Sequence, residues 1–165
     1  MVDIASDALV SDNRDSIIHM PAPAHARGNV DTGFSAGVET EDHFIVRDGI
    51  EFAGTHLILD LWDASRLDDL KHMESAMRTA VEVAGATLLH IHLHHFTPSG
   101  GISGVAVLAE SHISVHTWPE RDFAAFDIFM CGEAQPENAI PVLKRAFQPG
   151  RLIVSEHLRG VVSER

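Results

Sequence analysis

The sequence predicts an α+β fold, a two-layer sandwich with two helices on one face of a largely antiparallel sheet. Three observations predict it. From Glu51 onward, several short segments alternate apolar and polar residues with the period of a strand. Two other segments carry apolar residues at steps of three and four, the spacing of an amphipathic helix. The elements run β-α-β-β-β-β-α-β, with many short strands and only two helices.

Residues 1–50 carry Pro21, Pro23, Gly28, Gly33 and Gly37, scattered acids and no sustained period. They read as a flexible N-terminal extension ahead of one domain over residues 51–165. The first strand of that domain is Gly54–Trp62, with Leu57, Leu59 and Leu61 set against His56 and Asp60. Ser65–Asp68 has the form of a capping box. Leu67, Leu70, Met73, Met77, Ala80, Val81 and Ala84 then form one apolar stripe on a helix ending near Gly85.

The next strand, Ala86–Phe96, sets Leu89, Ile91 and Leu93 against His90, His92 and His94. Thr97–Gly101 is a loop by its turn residues. Gly104–Ala109, Ile113–Thr117 and Phe123–Met130 read as three further strands. Pro136 suits a first helical turn. Ala139, Val142, Leu143, Ala146 and Phe147 then mark the second helix, which Pro149 and Gly150 stop before a last strand at Arg151–Ser155.

Composition narrows the function. The chain has 165 residues, 45% of them apolar, enough for one domain with a real core. A formal charge of −12 argues against non-specific nucleic-acid binding, which relies on Lys and Arg meeting phosphates, and favours cationic ligands. No apolar run approaches the roughly 20 residues that cross a bilayer. The first residues lack the basic and apolar regions of a signal peptide, so a cytoplasmic protein is expected. Cys131 is the single cysteine, which rules out an intrachain disulfide and fits a reducing compartment. The only lysines, Lys71 and Lys144, fall in helical stretches, poor places for a lysine holding pyridoxal phosphate.

Two constellations can carry chemistry. His90, His92 and His94 share one strand face, where three imidazoles can bind a transition metal with help from Glu110 and His112 or His116. They can equally line a solvent or interface face. The second constellation is Gly101–Glu120, followed by Asp127–Gly132, in which Ser111, His116 and Cys131 lie close together in sequence. A Ser/His hydrolase is one reading, but Ser111 lacks the G-x-S-x-G setting and no oxyanion loop is evident.

The run S-G-V-A-V-L-A-E-S-H-I-S-V-H-T-W-P-E, Ser103 to Glu120, with D-I-F-M-C-G at Asp127–Gly132, closely resembles the processing region of bacterial S-adenosylmethionine decarboxylases. Phe52–His56, Ala84–Thr87, His94–Pro98 and Glu156–Gly160 extend the resemblance over residues 52–160. Some short bacterial members carry a cysteine soon after the first strand. Asp63–Ser65 has none, which leaves Cys131 as the thiol candidate.

The resemblance implies self-cleavage between Glu110 and Ser111, with Ser111 converted to a covalent pyruvoyl group, the cofactor, which forms a Schiff base with the substrate amine. His116 matches the processing base and Ser103 a second position that assists processing, expected to hydrogen-bond near Glu110. His116 lies five positions beyond Ser111 and shares no face with it on a straight strand, so the strand is expected to bend. Cys131 matches the proton donor. Phe96 matches a residue that stacks on adenine, and reads equally as a core phenylalanine; Glu120 can bind ribose hydroxyls or be a surface acid after Trp118 and Pro119. No metal is implied. The product is decarboxylated S-adenosylmethionine, the aminopropyl donor for spermidine synthesis, and a homodimer of cleaved protomers with shared active sites is expected. Two alternatives stand beside this reading: the same chemistry on ornithine or arginine, and a non-enzymatic metal-binding module on the histidine strand.

Overall fold

The computed structural model describes residues 17–21, as backbone alone, and residues 43–162. Its main sheet has seven strands in the order β1-β9-β4-β8-β7-β6-β5. They are β1 (Ile17–Pro21), β4 (Gly54–Trp62), β5 (Leu88–His95), β6 (Ile102–Leu108), β7 (Ser111–Trp118), β8 (Phe123–Met130) and β9 (Arg151–Arg159). The β1–β9 pair is parallel and the other pairings are antiparallel. A separate hairpin pairs β2 (Ile45–Arg47) with β3 (Ile50–Phe52). Helices α1 (Leu70–Val83) and α2 (Ala139–Phe147) cover one face. The expected two-layer sandwich and the order of its elements are therefore present.

Period-two alternation explains the layering. Leu57, Leu59 and Leu61 of β4, Ile113 and Val115 of β7, and Phe126, Ile128 and Met130 of β8 are buried on the helix side. Met73, Met77, Ala80 and Val81 of α1 and Leu143 and Phe147 of α2 close the core above them. At about 1.5–3 kcal/mol for each large apolar side chain buried, this layer dominates the stability of the domain. The alternate residues of each strand form a second face that no helix among the described residues covers: His56, Ile58 and Asp60 on β4, His112, Ser114, His116 and Trp118 on β7, Asp127 and Phe129 on β8.

Three local expectations are corrected. Helix α1 is capped by Asp69, whose side chain accepts from the His72 amide at 3.0 Å, rather than by a box at Ser65–Asp68. Ser65 Oγ instead donates to the Phe147 carbonyl. As the first residue of the helix, Leu70 is exposed and leaves the predicted stripe. A bulge at Leu89 turns that side chain outward, 63% exposed, and Leu88 takes the inward place. Apart from these corrections, the expected extension over residues 1–50 contributes β1 to the edge of the sheet and β2 to the small hairpin where it is described. The rest of that expectation, up to residue 42, lies outside the described residues.

Candidate active site

Functional residues gather at the two ends of the strands, His116 on the open face and Ser111 at the β6–β7 turn. The first end is built around the two-residue turn Ala109–Glu110 that joins β6 to β7, with Leu108 paired to Ser111. Such turns normally place positive φ within the loop, on Gly, Asn or Asp. Here the positive value falls on Ser111, at φ 135°, where a side chain is poorly tolerated. A backbone in that region stores about 1–3 kcal/mol, held there by its surroundings.

Those surroundings are main-chain contacts. The Cys131 amide donates to the Glu110 carbonyl at 2.9 Å. The Ala109 amide donates to the Thr87 carbonyl at 3.0 Å, and the Thr87 amide donates to the Glu110 side chain at 2.8 Å. Cys131 itself follows the end of β8, where Met130 pairs with Ser111, and its thiol is a free, half-buried cysteine. The next amide, Gly132, donates to the His43 carbonyl at 3.1 Å. The bond between Glu110 and Ser111 thus sits beside the main chain of Cys131, with its carbonyl already polarised by a fixed N–H donor.

The second end holds Ser103 and His116, whose Oγ and Nδ1 lie 2.8 Å apart across the β6–β7 pair. Two expectations are corrected here. Strand β7 does not bend: its registers with β6 and β8 run unbroken from Ser111 to His116. Five residues at about 3.3 Å each put His116 roughly 16 Å from Ser111 in the same chain. Ser103 therefore bonds to His116 and lies far from the Glu110 of its own chain, near which a hydrogen bond was expected.

Phe96 and Glu120 belong to this second end as well. Phe96 closes a short loop through bonds to Gly100 and Gly101, and its ring meets His94 edge-on at 4.4 Å between centroids. Gly101 packs so tightly that a Cβ there would lie 2.9 Å from the Thr117 carbonyl oxygen. Glu120 is exposed in the 3-10 turn Pro119–Arg121 that follows β7. Trp118, Phe123 and Trp62 stack in sequence next to His116.

Between the two ends lies a polar network that the sequence reading missed. Asp127 lies 3.2 Å from His56 Nε2 and accepts from Ser114 Oγ at 3.3 Å. Arg159 donates to His56 Nδ1 at 3.1 Å, which leaves Nε2 as the donor to Asp127. Burial lowers the His56 pKa, although the bond to Asp127 opposes it. Burial, reinforced by the charge of Asp127, raises the Asp60 pKa, against the pull of Arg151. Alternation had marked His56 and Asp60 only as polar positions.

His90, His92 and His94 are exposed along the edge strand β5. Among the described residues, no group of three or more His, Cys, Asp or Glu side chains is arranged to hold a metal ion. No helix among them is long and apolar enough to cross a membrane.

The structure is an α+β sandwich with a strained serine at a hairpin held by the amide of its one cysteine, and comparison with known proteins specifies the class. Residues 55–160 match the family model described as S-adenosylmethionine decarboxylase. The chain is 46% identical over 110 residues to the S-adenosylmethionine decarboxylase proenzyme of Thermomicrobium roseum, covering 66% of this chain and 95% of that one. It is 46% identical over 114 residues to the proenzyme of Methanococcus aeolicus, covering 67% and 97%. The crystal structure of the adenosylmethionine decarboxylase from Aquifex aeolicus superposes with a TM-score of 0.61 at 31% identity, over 69% of this chain and 96% of that one. The chain belongs to the S-adenosylmethionine decarboxylase family.

Proposed function

We propose that this chain is a self-processing, pyruvoyl-dependent decarboxylase that converts S-adenosylmethionine to decarboxylated S-adenosylmethionine and CO2. One observation carries the reading: Ser111 has a strained backbone at φ 135°, directly after a carbonyl that accepts from the Cys131 amide. In the first step Ser111 Oγ attacks that carbonyl, the Oγ proton passes to the leaving nitrogen, and an ester replaces the amide. The Cys131 amide supports the oxyanion, and release of the strain favours the shift. His116 then removes the Ser111 Cα proton, and the Glu110 carboxylate departs from Cβ. Water hydrolyses the resulting dehydroalanine, in its imine form, with loss of ammonia.

The pyruvoyl group expected at residue 111 would supply a ketone for condensation with the substrate amine, with loss of water, and a conjugated carbonyl as sink for the electron pair of the breaking C–CO2 bond. Cys131 returns a proton to the carbon that lost CO2. A thiol, with an ordinary pKa near 8.5, suits that task at neutral pH. Phe96 stacks on the adenine ring and Glu120 binds ribose hydroxyls. Neither has an evident use with ornithine or arginine.

The roughly 16 Å between Ser111 and His116 means that one chain carries two half-sites. A homodimer in which two copies lay their uncovered sheet faces together, related by a twofold axis, brings the His116 end of one to the Ser111 end of the other. Ile58, Val107 and Trp118, all partly exposed on that face, are apolar surface for such a contact. A reducing cytoplasm keeps Cys131 a free thiol, and the product serves as aminopropyl donor in spermidine synthesis.

Intact mass of denatured protein tests the reading. Residues 1–110 and 111–165 are expected as separate pieces, the smaller resistant to Edman sequencing, and the purified protein is expected to release CO2 from S-adenosylmethionine. Wild-type chains that stay whole after long incubation sink the processing; faster CO2 release from ornithine or arginine sinks the substrate.

A further inference from the structure

We infer that the side chain of Glu110 is a positioning residue for self-cleavage, locking the bond that Ser111 attacks by docking on the main chain of Thr87. The inference rests on the self-processing proposed above and concerns a part of Glu110 which that chemistry does not use: the bond cut is formed by its main-chain carbonyl.

Thr87 stands between α1 and β5, outside the two strands that the turn connects. Both of its main-chain groups are used on that turn. Its carbonyl accepts from Ala109 at 3.0 Å, and its amide donates to Glu110 Oε2 at 2.8 Å. On the other side the Cys131 amide holds the Glu110 carbonyl at 2.9 Å. The turn is therefore gripped at three points from two separate parts of the chain. Two of them bracket Glu110 itself, one through its side chain and one through its carbonyl.

This grip answers a physical problem. Ser111 at φ 135° is unfavourable, and a free two-residue turn would relax by rotating the peptide between Glu110 and Ser111. Such a rotation moves the Glu110 carbonyl away from the Cys131 amide and away from Ser111 Oγ. The Cys131 bond alone is a single pivot. The Thr87 bond adds a second one, through a carboxylate long enough to reach across, and fixes the orientation of the carbonyl between them. Attack by Oγ depends on that orientation, and a misplacement of 1 Å can cost about a hundredfold in rate. Only an acceptor of the right length is required, so a glutamine is expected to serve.

The test follows chain cleavage in full-length protein by intact mass, from synthesis onward, for Glu110→Ala, Glu110→Gln and Glu110→Asp. Glu110→Ala is expected to cleave about ten- to a hundredfold more slowly than wild type. Glu110→Gln is expected to stay near wild type, and Glu110→Asp, one methylene short, to approach the alanine variant. Uncleaved Glu110→Ala chains are expected to resist hydroxylamine, which splits esters, because the defect precedes the ester. Wild-type cleavage by Glu110→Ala, equal slowing by Glu110→Gln, or hydroxylamine splitting of the alanine variant would each overturn the positioning role. If Glu110→Ala fails to fold, the contrast between Asp and Gln decides the same question. Wild-type chains that never cleave instead defeat the processing itself, so the two failures are distinct.

Discussion

The two ends of the open sheet face differ in how they are held. At the Ser111 end the decisive contacts are main chain: the Cys131 amide on the Glu110 carbonyl and both main-chain groups of Thr87 on the turn. At the His116 end they are side chain: Ser103 against His116, Phe96 against His94, and Trp118 stacked on Phe123. The first end stores strain in a backbone at the bond between Glu110 and Ser111. The second presents an imidazole and an aromatic ring. On the reading proposed above, neither end holds a complete set for cleavage or for decarboxylation. The difference teaches that the two ends, each ordered within one chain, would have to be brought together to act.

Mixing two inactive chains gives the largest expected effect and the sharpest break between these readings. Ser111→Ala alone and His116→Ala alone are each expected to remain uncleaved. In a composite dimer that pairs one of each, one site has lost both residues and the other has kept both. His116→Ala chains should then be cut when co-expressed with Ser111→Ala chains, at about half of their number if pairing is random. Mass spectrometry reads this directly, because the two variants differ in mass. A site contained in one chain predicts no cleavage at any mixing ratio.

The next largest effect separates the two contributions of Cys131. Its amide holds the Glu110 carbonyl, and its thiol is the proposed proton donor. Cys131→Ala keeps the amide, so cleavage is expected to proceed. Loss of a general acid costs about 10²–10⁴ in turnover, so CO2 release from S-adenosylmethionine should fall by at least about a hundredfold. Turnover at the wild-type rate removes Cys131 from the role of proton donor.

How much of this was legible follows the same division. Buried positions were readable because period-two and period-3.6 patterns record which side chains face a core; Leu57, Leu59, Met73 and Met77 all sit where alternation or helical spacing puts them. Ser111, His116, Cys131 and Ser103 were readable as residues because the motif spells them. Their arrangement was not. An unbroken strand sets His116 five positions away, and no side-chain pattern announces that the strand stays straight. The amide of Cys131 and the main-chain groups of Thr87 were invisible because every residue except proline carries the same ones. The bulge at Leu89 escaped for a related reason: both Leu88 and Leu89 fit the inward place, and pairing with β6 decides between them.

A smaller effect belongs to the second end alone. Phe96 is 45% exposed, with one edge against His94, so its ring is available to a ligand. Stacking of a base on an aromatic ring is worth about 1–3 kcal/mol. Phe96→Ala should lower kcat/KM for S-adenosylmethionine by roughly ten- to a hundredfold, at about 1.4 kcal/mol per tenfold. Self-cleavage should be unchanged, since no nucleoside takes part in it. Equal losses in cleavage and turnover would make Phe96 a structural residue.

The smallest effect lies midway between the ends, in the charges of the uncovered face. Burial and the neighbouring Asp127 raise the Asp60 pKa, so the folded chain holds that proton more tightly than the unfolded one. The stability this gives is present below the ordinary carboxylate pKa and is lost as pH rises through the folded value. At pH 7 the ionised Asp60 is therefore a cost, and Asp60→Asn should raise Tm by about 1–2 °C. His56 has the opposite sign. Its pKa is lowered by burial, so its contribution is present above its ordinary value of 6.5 and fades as pH falls below it. If a second copy covers this face, both groups lose more water on association, and the gain from Asp60→Asn should grow with protein concentration. Thermal unfolding of dilute and concentrated protein at pH 7 measures this. A gain that is the same at both concentrations argues that the middle of the face stays open to solvent, and that the two ends meet by some other contact.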